Sequence, residues 1–233
     1  MAQPGDPEEI HVSMPQVVKF IRQLAHDLRN HLNAAELQSA YLAEIAENDE
    51  QRDEIKRLRG IIAQVGTSLQ ELTAALSQPR LTQMPYAAKN FIEDFEQKLA
   101  ADHPADVAQV KWACDVGDAM LDIDPQLLLP ALSELFRNAF RHDRGEGPLL
   151  ASAKIESGRF VFTLSEPKQN FARPTENWGR EPLHSLGQGH YGLGLYRTRA
   201  IIEAHGGEFA ARRDGKSGSL VTTVTLPVAR PEA

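Results

Sequence analysis

Apolar residues first recur along the chain with alternating gaps of four and three: Val17, Ile21, Leu24, Leu28, His31, Ala35, Gln38, Leu42 and Ile45. This is the spacing of a heptad seam on one helix, interrupted by polar residues at His31 and Gln38. Ahead of it, Ser13-Met14-Pro15-Gln16 has the S-x-x-Q form of a capping box with proline in the first turn. Asn48-Asp49-Glu50-Gln51 reads as a turn and a second capping box, and a cleaner seam follows at Ile55, Leu58, Ile62, Val65, Leu69, Leu72 and Leu76. Pro79 ends it. The pattern predicts two helices of about 30 residues, ~45 Å each, forming an antiparallel hairpin. Such a hairpin cannot surround its own seams, so it is expected to form a homodimer, closing a four-helix bundle.

After Pro79 the period changes. Residues 90–101 are spaced as an amphipathic helix and 107–116 as a strand. Asp124-Pro125 is a helix cap followed by proline at the first helical position, and the helix it opens runs to about His142. Residues 149–156 and 159–164 read as strands joined across Ser157-Gly158. The stretch 166–189, rich in Gly, Pro and Asn, has no periodicity and is too long for an ordinary connection. A helix from about Gly192 ends at Gly206-Gly207, a C-cap signal, and residues 208–213 and 219–226 form a closing hairpin. The expected fold class is α+β: a long antiparallel helical hairpin, then a two-layer α/β sandwich. The expected division is a disordered lead-in at 1–12, the hairpin at 13–79 and a second domain at 80–230.

Composition narrows the function. With 25 Lys and Arg against 32 Asp and Glu, the net charge of −7 argues against a nucleic-acid partner, which needs a basic face. The single cysteine, Cys114, rules out a disulfide framework and any multi-cysteine zinc site. No apolar run approaches the ~18 residues that would span a bilayer, and the acidic, polar start is unlike a signal peptide. A soluble, cytoplasmic protein without membrane insertion is expected.

Three elements carry candidate chemistry. On the first helix, His26 lies two positions past the seam residue Leu24 and so points away from the seam, with Asp27 beside it and Asn30 one turn on. A carboxylate that accepts from one imidazole nitrogen fixes the tautomer and leaves the other nitrogen as a nucleophile. The helix after Asp124 buries Leu128, Leu132, Leu135 and Ala139 and presents Glu134, Asn138, Arg141 and His142 on its other side. There an amide oxygen suits Mg²⁺, a carboxylate one turn earlier can orient or deprotonate a reactant, and Arg141 and His142 can reach phosphates. The third element, Gly187-Gln188-Gly189-His190-Tyr191-Gly192-Leu193-Gly194-Leu195, is a glycine-rich loop entering a helix. Its backbone N–H groups and the helix N-terminus suit phosphate, and the long stretch before it resembles a ligand lid.

In this order the elements resemble a two-component sensor histidine kinase. LAHDLRNHLNA is similar to the family's H-box, ELFRNAFRH to its N-box, and GQGHYGLGLYRTRAIIEAHGG to its G2-box and following helix. SGSLVTTVTLP fits the closing strand, and the resemblance spans roughly residues 14–228. It implies that the second domain is of the histidine-kinase ATPase type, with ATP and Mg²⁺ as cofactors. By resemblance, His26 attacks the γ-phosphate with Asp27 activating it, and Asn30 positions water for dephosphorylating the partner. Asn138 ligates Mg²⁺, and Arg141 and His142 lie near the phosphates. Gly187, Gly189, Gly192 and Gly194, with Leu193 and Leu195, form the lid hinge and phosphate turn. Glu134 orients or polarises the imidazole, and the phosphoryl group passes to an aspartate on a response-regulator receiver domain.

The chain departs from the family pattern twice. His31 stands where many members have proline, so the first helix is expected to run straighter. The G1-box, Asp-x-Gly-x-Gly, is missing: the chain reads Ser165-Glu166-Pro167-Lys168-Gln169-Asn170. Glu166 reaches the adenine amino group only with one methylene more than the family's aspartate, and neither glycine is present. Phe171 and Trp178 are the candidates for packing in the lid. A second reading therefore stands beside the kinase: a histidine phosphotransferase or pseudokinase scaffold that no longer binds ATP. A third, an ATP-hydrolysing or protein-serine kinase module of the same fold, is opposed by the H-box hairpin. No sensor domain fits within the chain, so signals are expected through a partner or through a longer chain of which this is a piece.

Overall fold

The computed structural model describes residues 13–142, 144–168, 175, 178–180, 182, 192–215 and 217–229. The lead-in 1–12, Phe171, Gly187, Gly189 and most of the glycine-rich approach to the last helix lie outside the described residues. The chain divides into two compact units, Met1–Ser77 and Gln78–Ala233.

In the first unit α1 (Met14–Glu44) and α2 (Asp49–Ala75) form the hairpin. The Ser13 amide donates to Gln16 Oε1 (3.3 Å) at the start of α1, and the Asn48 side chain accepts from the Gln51 amide (2.9 Å) at the start of α2. Gln51 Oε1 takes the amide of Glu47 rather than that of Asn48, one residue earlier than a capping box requires. Helix α1 passes through His31 without a break. Two cross-helix contacts set the register: Arg22 Nη2 donates to Leu76 O (2.8 Å), and Arg59 donates from Nε (3.0 Å) and Nη2 (2.7 Å) to Glu36 Oε1. The partners approach from opposite ends, as antiparallel helices must. Along the expected seams Leu24, Leu28, Leu42, Ile45, Leu58 and Val65 stay exposed within the one hairpin.

The second unit holds a five-stranded sheet of order β2-β4-β5-β7-β6, with β2 at Val110–Asp115, β4 at Leu149–Glu156, β5 at Arg159–Pro167, β6 at Glu208–Arg213 and β7 at Ser219–Pro227. β2 pairs parallel with β4, and the remaining pairs are antiparallel. The β4–β5 turn places Ser157 (φ 52) and Gly158 (φ 72) in the left-handed region that a two-residue hairpin loop demands. Helices α3 (Ala88–Asp102), α4 (Pro125–Arg141) and α5 (Gly194–Ala204) supply the core with one face of the sheet. Burial alternates strictly along β5, with Phe160, Phe162, Leu164 and Glu166 on the buried side. At the centre Phe95 meets Trp112, Phe136 and Phe162 edge-on, at centroid distances of 5.8, 5.5 and 5.9 Å.

Several elements differ from expectation. Two strands escaped the sequence reading: β1 (Met84–Ala87) and β3 (Met120–Ile123) pair antiparallel as a separate ribbon. β1 thus begins five residues after Pro79, in a stretch assigned to no element from the sequence. The strand expected at 107–116 opens as a 3₁₀ turn, Val107–Gln109, and its ladder runs only over Val110–Asp115. β5 continues beyond Leu164 to Pro167, where proline ends it.

Candidate active site

Helices α4 and α5 run antiparallel and are tied at three levels. At the first, Asp124 caps α4 by accepting from the Leu127 amide (3.2 Å), while its own amide donates to His205 Nε2 (3.0 Å). The other imidazole nitrogen donates to Ile201 O (2.7 Å), so buried His205 closes the end of α5 in one tautomer. At the second, Thr198 Oγ1 donates to Ala131 O (3.1 Å). At the third, the Glu134 side chain lies against Gly194, the first residue of α5, where a Cβ would sit 2.6 Å from Glu134 Cδ. Any larger residue would push the Glu134 carboxyl out of this position. Gly192, two residues earlier, has φ 61 and uses glycine's other freedom.

Glu134 is the hub of this end. Its side chain is 13% exposed, it is ion-paired with Arg137, and its Oε1 accepts from Asn138 Nδ2 (3.2 Å). The carboxylate thus sits at the positive end of the α5 dipole, and the amide pair leaves Asn138 Oδ1 as an uncommitted hard oxygen donor in that contact. Such a donor suits Mg²⁺ shared with phosphate oxygens. Among the described residues no group of three or more His, Cys, Asp or Glu side chains is arranged to hold a metal alone. Leu193 is buried ahead of α5, Leu195 packs against the core, and Arg141 and His142 are exposed at the end of α4.

Glu166 lies at the end of β5, on the face that carries Phe162 and Leu164. Its Oε2 is 2.8 Å from Lys168 Nζ, both side chains being under 10% exposed, and Lys168 donates to His142 O (2.5 Å) at the end of α4. Burial pushes the Glu166 carboxyl above the usual glutamate range, against the opposing pull of Lys168 and Arg144. The G1-box pattern would place its first glycine where Lys168 stands. Trp178, named above as a candidate for lid packing, lies partly buried against the core, and Arg199 clamps its carbonyl from Nε (3.0 Å) and Nη2 (2.8 Å).

In the hairpin unit His26 is exposed, with Nδ1 3.3 Å from Asp27 Oδ1, and Asp27 also accepts from Gln23 Nε2 (2.9 Å). When Nδ1 donates to Asp27, Nε2 keeps its lone pair toward solvent. Asn30 is exposed one turn further on. The sequence reading missed Arg137, Lys168 and Arg199. The signal was present for Arg137, which stands three residues past Glu134 on a helix and so shares a face with its carboxylate; Lys168 lies just beyond the end of β5.

No protein-family model matches the chain. The architecture is nevertheless that of histidine kinases. A solved structure of ShkA with AMPPNP superposes with a TM-score of 0.67 at 18% identity, covering 92% of this chain and 47% of that one. The Acinetobacter baumannii histidine kinase AdeS gives 0.53 at 19% identity, covering 88% and 98%. In sequence, the chain is 24% identical over 208 residues to the sensor histidine kinase ZraS of Salmonella typhi, covering 88% of this chain and 44% of the relative. It is 26% identical over 223 residues to the adaptive-response sensory kinase SasA of Synechococcus sp. (strain CC9311), covering 88% and 55%. The sensor protein PfeS of Pseudomonas aeruginosa matches at 26% over 228 residues, covering 95% and 49%. The chain spans about half the length of these relatives. The chain is thus similar in sequence and in architecture to sensor histidine kinases, and where their G1-box would fall it reads Glu166-Pro167-Lys168-Gln169-Asn170. Among the described residues no helix is long and apolar enough to cross a membrane.

Proposed function

We propose that the chain is the core of an ATP-dependent protein-histidine kinase of a two-component system, working in the cytoplasm. Residues 13–79 serve as the dimerisation and phosphotransfer hairpin, and 80–230 as the catalytic domain. The observation that carries the reading is the cluster at the start of α5, where Glu134, Asn138 and Gly194 put a carboxylate, an amide oxygen and a helix N-terminus together. Asn138 holds Mg²⁺ through Oδ1, the N-terminus of α5 with Gly192 and Gly194 cradles phosphate, and Arg141 and His142 flank it. Nε2 of His26 attacks the γ-phosphorus, a bond to nitrogen forms, the β–γ bridging bond breaks and ADP leaves. Asp27 takes up the charge that develops on the imidazole. Because phosphoryl transfer passes through a loose transition state, the protein's task is positioning and neutralisation. The phosphoryl group then moves to a response-regulator aspartate, and Asn30 supports the reverse, phosphatase, direction. The exposed Leu24, Leu28, Leu42 and Leu58 are the surface on which a second hairpin closes the four-helix bundle.

Incubation with γ-labelled ATP and Mg²⁺ tests this directly. Acid-labile label on the wild-type chain, lost in His26→Ala, is expected. No label and no nucleotide binding, with phosphate accepted from a phosphorylated regulator, would favour the second reading, a histidine phosphotransferase or pseudokinase scaffold. The observation on that side is the replacement of the G1 glycines by Lys168 and its neighbours, with Lys168 paired to Glu166.

A further inference from the structure

Three segments of the second unit meet at one buried residue. Asp124 is 6% exposed, and each of its carboxylate oxygens has its own partner. Oδ1 accepts from the Leu127 amide in the first turn of α4 (3.2 Å), and Oδ2 accepts from the Thr82 amide (2.8 Å). The main-chain amide of the same residue donates to His205 Nε2 at the end of α5 (3.0 Å). A carboxylate tolerates burial when charge-assisted hydrogen bonds replace its water. Capping a helix, however, takes only one of the two oxygens. The second goes to Thr82, which belongs to no helix or strand and lies in the stretch that joins the hairpin to β1. Beside it Gln83 Nε2 donates to Asp122 O (3.0 Å), a second tie between this stretch and the end of β3.

The hairpin holds the other end of the same stretch. Arg22 Nη2 donates to Leu76 O (2.8 Å), and Ser77 Oγ donates back to Thr73 O (2.7 Å). Between the held residues Ser77 and Thr82 lie only Gln78, Pro79, Arg80 and Leu81, one of them a proline with its φ fixed. Fully extended, this tether spans no more than about 17 Å. Building on the kinase reading above, we infer that Asp124 is a positioning residue. It clamps the linker to the cap of the helix that carries Glu134 and Asn138, and so keeps the tether to the His26 hairpin short. Transfer between two units of one assembly depends on their effective concentration and on their orientation. Without the clamp, Thr82 and Gln83 join the free tether, and the chain leaves the α4 cap in no fixed direction.

Two variants of the full chain remove this one hydrogen bond from opposite sides. Asp124→Asn keeps an oxygen for the Leu127 amide, since Asn caps as well as Asp, but turns a donor toward Thr82. Thr82→Pro removes the linker's N–H and leaves Asp124 untouched. Hydrogen exchange on Asp124→Asn is expected to show the Thr82 amide opening at least tenfold faster, with Leu127 as protected as in the wild type. In each variant kcat for autophosphorylation from Mg-ATP should fall about threefold or more at unchanged KM for ATP, because Glu134 and Asn138 lie toward the other end of α4. The double variant should be no slower than either single one, both having lost the same interaction. A labelled wild type with unchanged kcat in both variants overturns the inference alone. So does a loss of kcat seen in Asp124→Asn and absent from Thr82→Pro, which would trace to the α4 cap. A wild type that takes no label overturns both this inference and the kinase reading.

Discussion

Asn138 donates from Nδ2 to Glu134 Oε1 at 3.2 Å, one helical turn apart on α4, so the acid sets which atom of the amide is committed and which is left for a cation. Asn138→Ala is expected to abolish autophosphorylation by Mg-ATP while leaving the hairpin dimer intact, because the residue belongs to the other compact unit. Label incorporation and light scattering on the same sample check the two halves of that statement. Unchanged labelling would show that the Mg²⁺ assignment is wrong.

Gly194→Ala drives a methyl group into the Glu134 side chain. Overpacking of this kind costs about 1–3 kcal/mol, and urea unfolding should show a loss of that size. The second substitution Glu134→Ala should recover part of the loss, since the two residues touch and their effects cannot add. Additive losses would place the strain elsewhere.

The Glu166–Lys168 pair should behave as a buried ion pair. Removing either partner alone strands a charge and is expected to cost about 3–5 kcal/mol, whereas Glu166→Leu with Lys168→Met should be close to neutral. The pH dependence has a definite sign. Because Glu166 is pushed up on folding, the folded chain holds its proton more tightly than the unfolded chain. Its contribution to stability is complete below the ordinary glutamate range and is lost as pH rises through the raised value. Thermal melts of the wild type and Glu166→Gln across that window should show the wild type losing stability relative to the variant as pH rises.

Arg59 and Glu36 cross the hairpin with two hydrogen bonds, yet their side chains are 45% and 42% exposed. A double-mutant cycle on Arg59→Ala and Glu36→Ala should give a coupling of at most about 1 kcal/mol, shrinking further in high salt. A larger value would mean that a second hairpin covers the pair.

What could be read in advance followed from local chemistry. Asp124-Pro125 announced α4 because its cap is made within three residues, and the β4–β5 hairpin was announced by Ser157-Gly158. The ribbon of β1 and β3 was not, since MPYA and MLDI are too short to show alternation and find each other only through the fold. Glu134 and Asn138 stood out on one helix face, but the approach of Gly194 to Glu134 joins residues distant in sequence, and no periodicity reports it. Lys168 was overlooked for another reason. Following Pro167, it read as the start of a loop, and a charged residue in a loop is ordinarily solvated rather than covered.

The parallel pairing of β2 with β4 bears on how the protein comes to be folded. Parallel neighbours cannot be joined by a tight turn, and the chain between these two strands contains β3 and the whole of α4. The β4–β5 and β6–β7 hairpins close locally, but β2 can enter the sheet only when its crossover has been laid down. The crossover that carries Glu134 and Asn138 must therefore be in place before the β2 edge can close. A chain still lacking the β2 edge for want of that crossover would then also lack the ordered placement of Glu134 against Gly194.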